Sequence, residues 1–167
     1  MNRSDESDGP NRHERILAVD IRPRWFGFAV LNRRMHLLDF GLVRVASNHR
    51  GQMNFIRLVK TFRPRLVVIR RARDWRGTRP LGHSILRLSR RFSIQVEHVS
   101  ERQLRTYFNS LGIRNKQERA SFLARQFPEL SWKVPPPRKR WQHEHQNMPI
   151  FDALATSVAH FQSNKSA

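Results

Sequence analysis

Residues 15–20, Arg15-Ile16-Leu17-Ala18-Val19-Asp20, form a short apolar run with β-branched side chains that ends on a carboxylate. That is the pattern of a buried central strand delivering one charged side chain to its C-terminal end. Two more strand-like runs follow, Trp25 to Leu31 and Met35 to Val45, joined by the polar connection Asn32-Arg33-Arg34. Residues 15–45 therefore read as a three-stranded antiparallel meander.

Beyond the meander the hydrophobic period changes. Met53, Ile56, Val59 and Phe62 make a helical stripe between Gly51 and Phe62, which Pro64 ends. Leu66-Val67-Val68-Ile69 is a continuous apolar run, as in a strand covered on both faces, and a crossover helix would make it parallel to the first. A charged loop, 72–80, precedes a second amphipathic helix marked by Leu81, Ile85, Leu88 and Phe92. Ser93 to Val99 reads as a fifth strand, and Ser100 caps a helix that follows it. Another helix runs from about Lys116 to Phe127. A last one starts near Pro149, with Ile150, Leu154, Val158 and Phe161 on one side. The fold class is thus α/β: a mixed sheet of a three-stranded meander plus two parallel strands, with helices on both faces.

The 167 residues suit one domain, here 15–162, with frayed tails at 1–14 and 163–167. No apolar run is long enough to span a bilayer, and residues 1–14 lack the apolar stretch of a signal peptide, so a cytoplasmic protein with no membrane partner is expected. With no cysteine, a metal would fall to carboxylate or imidazole groups, and hard oxygen ligands suit Mg²⁺ or Mn²⁺. Charge is the dominant feature of the composition: 32 Lys+Arg against 13 Asp+Glu give +19. The excess is spread over the whole chain, so the folded body carries the field and seeks polyanions. Arginine outnumbers lysine, which favours forked contacts to phosphate. Arg22, Arg24, Arg70 and Arg71 are candidate nucleic-acid contacts on this ground. Two loops add more. One holds Arg73, Asp74, Trp75, Arg76 and Arg79, the other Arg138, Lys139, Arg140 and Trp141, and in each a tryptophan beside arginines suits base stacking plus phosphate contact. The alternative for each tryptophan is to cover a core edge.

The residues resemble RuvC-type Holliday-junction resolvases and their RNase H-like relatives. Asp20 is followed at the family's seven-residue step by Gly27-Phe28-Ala29-Val30. Pro64 matches the proline that precedes the family's fourth-strand glutamate, and Asp152-Ala153-Leu154-Ala155, with His160 eight residues on, matches its last helix. The resemblance implies two Mg²⁺ ions, or Mn²⁺, held by carboxylates of the first strand, fourth strand and last helix for phosphodiester cleavage. It also implies branched DNA rather than RNA as partner, and a homodimer. Asp20 and Asp152 would be catalytic and metal ligands. Two departures stand out. Arg70 occupies the glutamate position, and Pro149 stands three residues before Asp152, where resolvases carry another aspartate.

A guanidinium among carboxylates supplies permanently the charge that a metal would supply. Arg70 pointing into the pocket would be an internal counter-ion, and Asp20 and Asp152 would then form a buried salt-bridge cluster. A substitute third ligand would be Glu144, or Asp74, with His143 and His145 as further ligand candidates. Three functions follow: a nucleic-acid binder with a closed pocket, an active Mg²⁺ endonuclease using Asp20, Asp152 and Glu144 or Asp74, and a basic assembly or RNA-binding protein.

Overall fold

The computed structural model describes residues 14–71 and 77–165. The tails at 1–13 and 166–167, and Arg73, Asp74, Trp75 and Arg76, lie outside the described residues. In chain order the elements are β1 (Ile16–Ile21), β2 (Trp25–Leu31), β3 (Leu37–Arg44), α1 (Asn48–Phe62), β4 (Leu66–Arg70), α2 (Arg79–Arg91), β5 (Gln95–Val99), α3 (Glu101–Ser110), α4 (Lys116–Gln126), a 3₁₀ turn (Pro128–Lys133) and α5 (Met148–Lys165). The last helix thus continues past residue 162, the expected domain end. Among the described residues no helix is long and apolar enough to cross a membrane.

The five strands lie in the order β3-β2-β1-β4-β5. β1, β2 and β3 pair antiparallel, while β4 runs parallel to β1 and β5 parallel to β4. The meander and the two parallel strands are as expected. β3 starts two residues later than the apolar pattern suggests, because Met35 takes a left-handed φ of 63° and Asn32 to His36 close a hydrogen-bonded turn. α1 starts three residues earlier than its stripe: Ser47 Oγ accepts from the Arg50 N–H and caps it.

Alternation along β1 sorts its side chains between two cores. Leu17, Val19 and Ile21 face α1 and α2 with Phe26, Phe55 and Ile85. Ile16 and Ala18 face α3, α4 and α5 with Leu104, Leu123 and Leu154. The period of two therefore sends Asp20 to the α5 side, and likewise Arg70 beyond Val68 on β4. α5 is buried nearly all round from Met148 to Ala159, not on one stripe, because α3 and α4 cover the side turned away from the sheet.

Candidate functional site

Three elements bring the site residues together. Asp20 pairs across the sheet with Gly27, and the register between β1 and β4 matches Val19 with Ile69, one residue before Asp20 and Arg70. Gly27 faces the start of α5. A Cβ there would run into the Pro149 carbonyl group and the Ile150 backbone nitrogen. The missing side chain lets α5 seat directly on the strand, which sets Asp152, one turn into α5, over Asp20.

Both aspartates are buried, with side chains 4% and 1% exposed. Arg22 lies between them: its Nε donates to Asp20 Oδ2 at 2.7 Å and its Nη2 to Asp152 Oδ2 at 2.5 Å. The same Nη2 is 3.6 Å from Glu144 Oε2. The three carboxylates expected to converge on a metal thus do converge, around a guanidinium. Lys116 Nζ donates to Glu144 Oε1 and lies 3.2 Å from Asp152 Oδ2. Arg119 Nη1 reaches Asp152 Oδ1 at 3.4 Å. Arg70 does point inward. Its hydrogen bond, at 2.7 Å, goes to Glu101, and its Nε and Nη2 stand 3.6 and 3.8 Å from Asp20 and Asp152 without hydrogen bonds. It acts on the aspartates through Coulomb attraction alone, so the closest counter-ion of the pair is Arg22.

Asp20, Glu101, Glu144 and Asp152 therefore face Arg22, Arg70, Lys116 and Arg119, four charges of each sign. Burial, and then the neighbouring Asp152, push the Asp20 carboxyl up to about 6, against Arg22, Arg70 and Lys116. Burial also raises Asp152, but Lys116, Arg70, Arg22 and Arg119 together outweigh it and hold that carboxyl below its ordinary value. Arg22 stays protonated: burial opposes its charge, and Asp20, Asp152 and Glu144 more than restore it.

These residues do not fit a divalent ion. Every oxygen of Asp20 and Asp152 already faces a cation of the chain. Among the described residues no group of three His, Asp or Glu side chains is arranged to hold a metal. Asp20, Asp152 and Glu144, expected as metal ligands, are met here by Arg22 and Lys116. His143 is exposed, and His145 Nδ1 accepts from the Asn147 N–H, so neither joins the cluster. Arg22 and Arg70, expected on the nucleic-acid surface, are turned into the cluster by the carboxylates. Arg24, Arg71, Arg79, Arg138, Lys139, Arg140 and Trp141 are exposed. Beside the cluster a cavity of about 710 Å³ is lined by Arg105, Arg114, Lys116 and Arg119 against one carboxylate, Glu101.

Sequence reasoning missed Glu101, Lys116 and Arg119. Arg119 had a signal: on α4 it precedes Ala120 and shares a buried stripe with Leu123, and a cation on an apolar stripe requires a partner. Glu101 gave none, since an acidic residue in a first helical turn is ordinary.

No family model and no curated protein matches the sequence. Solved structures do match the fold. RuvC of Thermus thermophilus in complex with Holliday junction substrate superposes with a TM-score of 0.68 at 16% identity, over 93% of this chain and 97% of that one. Thermus thermophilus RuvC in a second structure gives 0.67 at 16% identity, over 91% and 96%. The yeast mitochondrial Holliday junction resolvase gives 0.60 at 14% identity, over 93% and 84%. The fold is the RuvC-type RNase H-like fold.

Proposed function

We propose that the protein binds branched or structured nucleic acid, DNA in preference to RNA, without metal-dependent strand cleavage. One observation carries the reading: Arg22 sits among Asp20, Asp152 and Glu144, where the resolvase resemblance implies a metal. A guanidinium gives the carboxylates their compensating charge but supplies neither an open coordination position nor an acidified water. Binding has separate support. The cluster cancels its own charge, so the formal +19 lies outside it, and the cavity beside it is walled by cations. A resolvase of this fold has been solved with junction substrate, which supports a branched partner here. Pairing into a homodimer belongs to the same reading, because a two-fold arrangement of strands suits a two-fold protein.

The test uses a labelled four-way junction and a duplex of the same sequences, with Mg²⁺ or Mn²⁺ present. Retained, gel-shifted and uncut junction is the expected result. Brisk cleavage lost on Asp152→Asn would overturn the closed-pocket reading, and the absence of any shift at low salt would overturn the binding.

A further inference from the structure

Two tryptophans between α4 and α5 take no part in the carboxylate cluster, and both lie largely in solvent: Trp132 is 72% exposed and Trp141 77%. An ammonium stands over each ring, Lys133 Nζ at 4.2 Å from the Trp132 centroid and Lys139 Nζ at 5.3 Å from that of Trp141. Pro135-Pro136-Pro137 runs between the two pairs and restricts the backbone there. The segment is also tied down. Leu130 is fully buried, Gln117 Nε2 donates to the Pro135 carbonyl, and Asn147 Nδ2 donates to the Lys133 carbonyl at 3.2 Å. Trp141 rides on a closed turn, in which the Gln142 N–H donates to the Lys139 carbonyl at 3.0 Å and the Lys139 N–H to Gln142 Oε1 at 2.9 Å.

Both rings are thus presented by an ordered backbone, which lowers the entropy lost when a flat group lands on them. Each pair offers a π-face and a cation a few ångströms apart. A nucleotide has the complementary parts, a base to stack and a phosphate to pair. We infer that Trp132 and Trp141 are stacking platforms for unpaired bases, with Lys133 and Lys139 on the adjoining phosphates, and that this segment selects single-stranded nucleic acid. Bases inside a duplex are stacked on both faces already, whereas a strand end, a loop or an open branch leaves faces free. The inference rests on the nucleic-acid reading above and narrows it to one structural class of strand.

The full chain is titrated with an oligothymidine strand and with a blunt duplex of equal length, following anisotropy and tryptophan emission. Trp132→Ala and Trp141→Ala are each expected to weaken single-strand binding about five- to a hundredfold. Both variants should leave duplex affinity and melting temperature nearly unchanged, and Trp132→Phe and Trp141→Phe should recover part of the loss. Equal losses on both ligands, no loss on either, or a lower melting temperature with single-strand binding intact would overturn the platforms while the nucleic-acid reading stands. A wild type that binds neither ligand would overturn both.

Discussion

Arg22 is two residues past the aspartate it neutralises, and it is the side chain on which the whole cluster turns. Removing one partner from a buried ion pair costs about 3–5 kcal/mol, because the other charges remain without compensation. Arg22→Gln should therefore lower the melting temperature by many degrees and make it sensitive to Mn²⁺, which can then enter between Asp20, Asp152 and Glu144. The wild type should not respond. Melts with and without Mn²⁺ on both proteins check this, and a metal response in the wild type would contradict it. Asp20 supplies a pH prediction. Its folded pKa, about 6, lies above the ordinary 3.8, so the folded state takes up a proton that the unfolded chain does not. Stability from Asp20 hence rises as pH falls through that interval and is absent above it. Asp152, held below its ordinary value, acts oppositely and only at lower pH. The melting temperature of wild type minus that of Asp20→Asn should increase between about pH 7 and pH 4.5, and a flat difference would refute it. Sequence offered an inward Arg70 as one alternative and gave no sign of the larger part Arg22 plays, since nothing in Ile21-Arg22-Pro23-Arg24 separates a guanidinium folded back onto the strand end from one in solvent.

At the level of elements, the register of α5 on the sheet depends on one missing side chain. Gly27→Ala would set a methyl against the Pro149 backbone, where no flexible group can yield. Overpacking of this kind costs about 1–3 kcal/mol or more. The variant should melt lower by circular dichroism, and the cluster should loosen with it, since Asp152 follows the displaced turn on the same helix. An unchanged melting temperature would show that α5 can shift at no cost. The strands were legible because each carries a period-two or continuous apolar signal bounded by turn residues, from Ile16 to Val99. Less legible was how α3 and α4 fold over α5. Most of their charged residues look alike on paper, and only the apolar stripe beside it hints that Arg119 is buried while Arg125, on the same helix, is exposed. Trp132, on a short 3₁₀ turn beyond α4, carried no sequence signal that set it apart.

For the molecule as a whole, balance inside and excess outside make a prediction about salt. Each phosphate contact adds about −0.9 to the slope of log K against log salt, so wild-type binding to a junction should have a slope of several units. Replacing an exposed cation, as in Arg138→Gln, should reduce that slope by about one. Arg22→Gln should leave it nearly unaltered, because Arg22 is committed to carboxylates. A salt series on the three proteins decides it, and a flat response in the wild type would end the electrostatic account. The cluster has one more consequence. A bound ion comes and goes with its supply, so a pocket held by one loosens on dialysis, in a chelator or in a starved cell. A counter-ion attached through its own backbone cannot be diluted. EDTA should leave this protein's melting curve where it was, and its pocket is always loaded from the moment the chain folds.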